Sequence, residues 1–166
     1  MPELPHTVAA LRAQQLARFN ILDTPREAAF DEIAAKAARA CGTPLGLVSL
    51  ADTHRLWFKA GVGIRAAQIP REGSCCTVCI ETPGVPMLIE DASQDPRFSS
   101  HALVVKAPYM RFYAGAPLVA QNGVAVGTLC VLDYMPRQLS AAQIATLTQL
   151  AAQVVGLLEL RAQAAQ

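Results

Sequence analysis

Three of the chain's five cysteines fall within five positions, in "GSCCTVCIE", residues 73–81: Cys75, Cys76 and Cys79. Thiols at this density offer three kinds of chemistry. Cys76-x-x-Cys79 has the spacing of a metal-ligand pair, but structural zinc takes four ligands and no second pair follows. Cys41 and Cys130 stand alone, one ending a helical pattern and one inside a strand pattern, and both read as core. Redox chemistry is the second. Ser74 suits a helix N-cap, which places the three cysteines in or just after the first turn of a short helix. A helix N-terminus lowers thiol pKa, and Cys76 and Cys79 share a helix face. The third is a wall of small, soft side chains lining a pocket or core, the commonest setting of free cysteine. The residues favour the wall, then thiol reactivity, and give a metal site least support.

Other side chains also carry two readings. Asp91, Asp95 and Arg97 in "EDASQDPRF" suit the polar rim of an apolar pocket. They equally suit loop architecture, with Asp95 opening a turn before Pro96 and Arg97 pairing with a carboxylate. Arg111 and Tyr113 alternate with Phe112 on a strand, so the two sets face opposite ways, and alternation leaves open which set meets a pocket. Tyr109 ends an irregular stretch and reads as a lid residue. Trp57, the only tryptophan, reads as core or pocket wall. His6, His54 and His101 are scattered. No Gly-rich phosphate loop, Ser/His/Asp set or carboxylate pair stands out, so no catalytic residue and no metal ligand is assigned.

These residues need elements to position them. Thr7–Phe19 reads as an amphipathic helix with Val8, Leu11, Leu16 and Phe19 on one stripe. A second helix opens at "TPREAAFDE", with Thr24 as N-cap, Pro25 in the first turn and Glu27 closing a capping box. Phe30, Ile33, Ala37 and Cys41 form its buried face, and Gly42 its left-handed stop. "PLGLVSLAD" reads as a strand buried on both faces over Leu45–Ala51, joined through "DTHR" to a strand in "RLWFKAGVGI". A short strand follows at Met87–Glu90. Strands near Arg111–Val119 and Val124–Leu132 flank Asn122-Gly123, a strong hairpin signal. Gly115 and Pro117 inside the first of these mark a bulge or an edge. The last helix starts at Ser140 and runs to about Ala162, with Ile144, Leu147, Ala151, Val154 and Leu158 in register. Asp91–Pro108 shows little periodicity, and loops of that length tend to be functional.

The totals set limits. At 166 residues the chain is one domain by size, and it needs no disulfide or metal to build a core. Hydrophobic residues make up 52% and charged residues 16%, with a net charge of +1, which argues against nucleic acid as a partner. No unbroken apolar run reaches the roughly 18 residues of a membrane span, and the first residues lack a signal-peptide pattern. A cytoplasmic setting with reduced thiols is expected.

Six strings occur in order between about Leu16 and Arg161: "ILDTPREAAFDEIAAKAA", "PLGLVSLAD", "RLWFKAGVGI", "DASQDPRFSS", "MRFYAGAPL" and "GTLCVLDYMPRQLS". Together they resemble a GAF domain of the subgroup found in bacterial histidine kinases and diguanylate cyclases. The resemblance implies an α+β fold with a central antiparallel sheet of five to six strands. Terminal helices, about 7–20 and 140–162, would pack together on one face, and a ligand pocket with irregular segments would lie on the other. One GAF-like domain would fill residues 1–166, with its core at about 16–161. The implied function is small-molecule sensing in signal transduction, without catalysis. The implied partners are a homodimer mate through the terminal helices and a separate signalling output protein, not nucleic acid or a membrane.

The subgroup usually reads Ser-Phe-Cys-x-His-x-Ile at the cysteine stretch. Here Cys76 matches the cysteine, Cys75 stands for the Phe, Val78 stands for the His, and Cys79 is extra. Loss of that His removes the best haem or metal ligand and the best base, so neither haem nor bilin is expected and the ligand is unknown. The smaller, more apolar wall suits a bulkier or less polar ligand. The candidate ligand-binding set is Cys75, Cys76, Cys79, Trp57, Asp91, Asp95, Arg97, Tyr109, Arg111 and Tyr113. Two alternatives stand beside it: a cysteine-dependent redox sensor or free-methionine-sulfoxide-type reductase, and a structural dimerisation module whose pocket is filled by its own side chains.

Overall fold

The computed structural model describes residues 7–164. His6 and the rest of the chain ends lie outside them. Helix α1 spans Val8–Phe19, capped by the Thr7 hydroxyl, which accepts from the Ala10 amide at 3.1 Å. It ends at Asn20 in the left-handed region. Leu16 and Phe19 are buried as the periodicity predicts, but Val8 is 56% exposed. Arg12 is buried instead, its Nε donating to the Ala125 carbonyl at 2.7 Å.

Helix α2 spans Ala28–Cys41 and buries Phe30, Ile33, Ala37 and Cys41 before Gly42 turns left-handed. Its start differs from the predicted capping box. Glu27 occupies the cap position with no side-chain cap bond, and the Thr24 hydroxyl donates to the Ile21 carbonyl. The reason is Lys59. Its side chain is fully buried, and its ammonium reaches Thr24 Oγ1 at 2.9 Å, the Pro25 carbonyl at 2.5 Å and Glu27 Oε2 at 2.6 Å. A buried charge needs compensating partners, and that demand overrides the local cap.

The strands are β1 Leu45–Ala51, β2 Arg55–Val62, β3 Gln68–Pro70, β4 Met87–Ile89, β5 Phe112–Val119 and β6 Ala125–Asp133. They form one antiparallel sheet in the order β3-β2-β1-β6-β5-β4. The three-residue β3 carries no alternation signal of its own. β4 reaches only as far as Gly115 on β5, so Pro117 lies past its end, where no ladder bond is lost. The register runs unbroken through Gly115 and Pro117 and shifts only at Leu118/Val119.

Helix α5, Ala141–Ala164, opens on a reciprocal cap: Ser140 Oγ accepts from the Gln143 amide, and Gln143 Oε1 accepts from the Ser140 amide. Leu147, Leu150, Ala151, Val154 and Leu158 are buried. One face of the sheet carries α1, α2 and α5, with Val48, Leu50, Phe112, Ala114 and Leu118 pointing into that layer. α2 lies close on β1 at Gly46, where a Cβ would stand 2.4 Å from the Ala34 carbonyl oxygen. The first and last helices meet through Arg18 and Glu159 at 2.6 Å. Arg161 also donates to the carbonyls of Phe19 and Asn20. By length and composition α5 alone among the described helices could cross a membrane; 28% of that apolar stretch is buried against the rest of the chain.

The opposite face carries the short helix α3, Cys75–Cys79, and the segment 91–110. That segment contains a 3₁₀ turn at Ala92–Gln94 and a one-turn helix α4, Ala102–Val105.

Candidate functional site

A cavity of about 240 Å³ lies between the sheet and these covering segments. Its floor is Leu47, Phe58, Tyr113 and Cys130 from four adjacent strands. Its wall is Ser74, Cys75 and Cys76, and its lid is Phe98, His101, Leu103, Pro108 and Met110. The lining is almost wholly carbon and sulfur. The size falls between a benzene-sized cavity of about 150 Å³ and the roughly 300 Å³ at which drug-sized pockets begin.

The wall forms as the sequence predicts. Ser74 Oγ accepts from the Thr77 amide at 3.2 Å and starts α3. The thiol chemistry departs from expectation. Burial pushes the Cys75 thiol well up, and burial pushes Cys79 up to about 12. The short helix therefore does not activate all three cysteines. Cys79 turns away from the cavity and donates to the Gly115 carbonyl at 3.5 Å. Neither pairs with Cys76: all five cysteines are free thiols.

Cys76 is different. Its Sγ lies 3.2 Å from Thr128 Oγ1, accepts from the Tyr113 hydroxyl at 3.2 Å and lies 3.9 Å from Cys130 Sγ. The hydrogen bond with Cys130, the largest cause, and then those with Thr128 and Tyr113 draw the Cys76 thiol pKa below its ordinary value despite burial. Cys130 moves the opposite way, chiefly through the same bond. Ser49 lies directly across β1 and β6 from Thr128 and is fully buried. Its hydroxyl makes no hydrogen bond among the described residues.

Of the predicted set, the structure brings Cys75, Cys76 and Tyr113 to the cavity. It settles the strand face: Tyr113 points to the cavity, and Phe112 and Ala114 to the helices. Arg111 does not line the cavity. Its guanidinium donates to the carbonyls of Val104 and Met110 and so holds the lid to the start of β5. Tyr109 is exposed beside the lid. Trp57 packs on the helix face, because strand alternation sends Leu56 and Phe58 to the cavity side. Asp91 accepts from the Ser93 amide and caps the 3₁₀ turn, and Asp95 pairs with Arg97 at 2.8 Å. These three hold the loop together and line a separate, more open depression rather than the cavity. Among the described residues no group of three His, Cys, Asp or Glu side chains is placed to hold a metal ion.

Sequence reasoning missed Ser49, Thr128 and Cys130. The available signal was Thr128 and Cys130 two apart on an otherwise apolar strand, which puts both on one face.

Comparison with known proteins agrees with the geometry. The family model for the GAF domain matches residues 25–158. A cyclic di-GMP phosphodiesterase of Pseudomonas aeruginosa is 38% identical over 136 residues, 82% of this chain; the chain spans only 22% of that protein. The GAF domain of a phosphoenolpyruvate-protein phosphotransferase from Coxiella burnetii superposes with a TM-score of 0.68 at 15% identity, covering 96% of this chain and 100% of that one. The free methionine-R-sulfoxide reductase of Neisseria meningitidis, solved with its substrate, gives 0.66 at 19% identity, covering 99% and 98%. At these identities the two structures show the fold alone. With the model match, the helix-backed antiparallel sheet and the covered cavity together, the chain belongs to the GAF domain family.

Proposed function

We propose that this GAF domain is a sensory module that binds a small, largely apolar molecule in the cavity between sheet and lid. GAF domains are in general sensory and regulatory parts of signalling proteins, and most are not catalysts. The observation that carries the ligand class is the cavity itself, about 240 Å³ and lined by aliphatic, aromatic and sulfur groups. No charged side chain faces its interior among the lining residues. Such a site takes its affinity from apolar area removed from water. Of the three hydroxyl-bearing lining residues, Ser74, Tyr113 and Tyr134, the first two have their hydroxyls already engaged.

Ligand entry orders the lid, and the sheet passes the change to α1 and α5. The ligand does this only through its differential affinity for the two arrangements. We further propose that two copies associate along the outer face of α5. Ala145, Ala152, Gly156 and Leu160 are exposed there. Both charged residues of the helix, Glu159 and Arg161, are turned to partners within the chain. The output unit is a signalling protein of the kind the Pseudomonas relative exemplifies, and the setting is the cytoplasm.

Indole is a suitable probe by size and polarity. Thermal unfolding of the protein is expected to shift upward with indole. Ala66→Trp, at the cavity mouth, is expected to abolish the shift while the variant stays folded by circular dichroism. An unchanged midpoint in the parent protein across a series from indole to naphthalene would remove the support for ligand sensing.

A further inference from the structure

The groups around Cys76 exceed what an apolar binding site needs. Two hydroxyls, of Thr128 and Tyr113, and a second thiol converge on one sulfur, which also forms part of the cavity wall. The geometry points to Cys76 as a modification site for apolar hydroperoxides that enter the cavity, with Cys130 as the thiol that then closes a disulfide on it.

Several observations carry this. Thiolate is the nucleophilic form of cysteine, and donors aimed at the sulfur favour it without a neighbouring cation. Cys76 is the sulfur of the cluster that both the Tyr113 hydroxyl and Thr128 Oγ1 reach, whereas burial pushes the Cys75 and Cys79 thiols up. The Ser49 hydroxyl is the second, independent sign. It is fully buried, lacks a partner and lies directly across the strand pair from Thr128, whose hydroxyl meets Cys76. A buried hydroxyl without a partner is costly to keep. An oxygen added to the Cys76 sulfur would supply the partner. The cavity lining then selects for the organic group of the hydroperoxide, since apolar surface is what it rewards. Ligand sensing and this chemistry are separable: the thiol site needs no resident ligand.

In the first step, Cys76 Sγ attacks the terminal oxygen of R–O–O–H. The S–O bond forms as the O–O bond breaks, and the alkoxide leaves with a proton as the alcohol. Sulfur loses two electrons and the peroxide gains them, giving a sulfenic acid. In the second step, Cys130 Sγ attacks Cys76 Sγ. The S–S bond forms, the S–O bond breaks, and hydroxide leaves with the Cys130 proton as water. The sulfurs must close from 3.9 Å to about 2 Å, a movement that the five-residue α3 has to supply.

The test treats the reduced protein with cumene hydroperoxide and reads intact mass and peptide maps. The parent is expected to lose two hydrogens and to yield a Cys76–Cys130 linked peptide. Cys130→Ser should stop at one added oxygen on Cys76, trapped by dimedone. Ser49→Ala in that background should slow the oxygen addition on the order of ten-fold. Cys76→Ser should do neither. Circular dichroism checks the fold of each variant, and Cys130→Ala replaces Cys130→Ser if the latter does not fold. An unmodified Cys76, oxidation landing first on Cys75 or Cys79, or a linkage that omits Cys130 would each overturn the inference. The indole shift is read on the reduced parent protein with no oxidant added, so the two readings fail separately.

Discussion

Tyr113 reaches Cys76 because Gly115 lets its ring lie flat. A Cβ at Gly115 would stand 2.3 Å from the tyrosine hydroxyl oxygen. Gly115→Ala is therefore expected to displace the ring and to cost about 1–3 kcal/mol in chemical denaturation, the usual range for an overpacked interior. Tyr113→Phe keeps the packing and removes only the donor. The Cys76 thiol should then titrate higher, seen as a rise in the midpoint of its alkylation rate against pH. The thiols also shape stability. Cys79 is held protonated by burial, up to about 12, against an ordinary value of 9.0. A group whose pKa rises on folding adds stability below its unfolded value and loses it as pH climbs toward the folded one. Cys75, Cys130 and Tyr113 shift in the same direction, and Cys76 alone opposes them. Unfolding midpoints are expected to fall steadily above pH 9, and Cys79→Ala should flatten that fall. Much of this was unreadable beforehand. Cysteine spacing shows where thiols lie along the chain, whereas Ser49, Thr128 and Cys130 meet Cys76 only through strand register and a crossing helix.

Elements were more legible than their ends. β1 and the buried face of α2 follow from runs of apolar residues, because burial on one or both faces leaves a periodic trace. The start of α2 did not follow, because Thr24 and Glu27 serve Lys59, thirty-odd positions away, rather than the helix. That cluster is testable. Glu27→Gln removes the carboxylate charge that faces the buried ammonium, leaving it neutral oxygen partners and the Phe30 ring, and it also loosens Arg161. Since Glu27 is itself 43% exposed in its side chain, the cost is expected near 2 kcal/mol in denaturant titration, below that of breaking a fully buried pair. The lid was legible as an aperiodic segment. Its polar residues were not assignable, because Asp91, Asp95 and Arg97 satisfy one another and the loop backbone before they reach any pocket.

At the scale of the whole molecule, helices and cavity occupy opposite faces of one sheet. The outer face of α5 is uncharged and partly apolar, so, on the proposed pairing of two copies there, Gly156→Arg is expected to lower the sedimentation coefficient to that of a monomer while circular dichroism stays that of the folded parent. If the parent is itself monomeric at high concentration, the helix face has another use. The same layering gives the molecule an optical reporter. Trp57 is the sole tryptophan, and it sits on the helix face of β2 while its neighbours Leu56 and Phe58 face the cavity side. Its emission reads the sheet from behind, with no indole of the protein touching the cavity. A colourless, non-quenching ligand that alters Trp57 fluorescence would thus have announced, without any label, that its arrival had crossed the sheet.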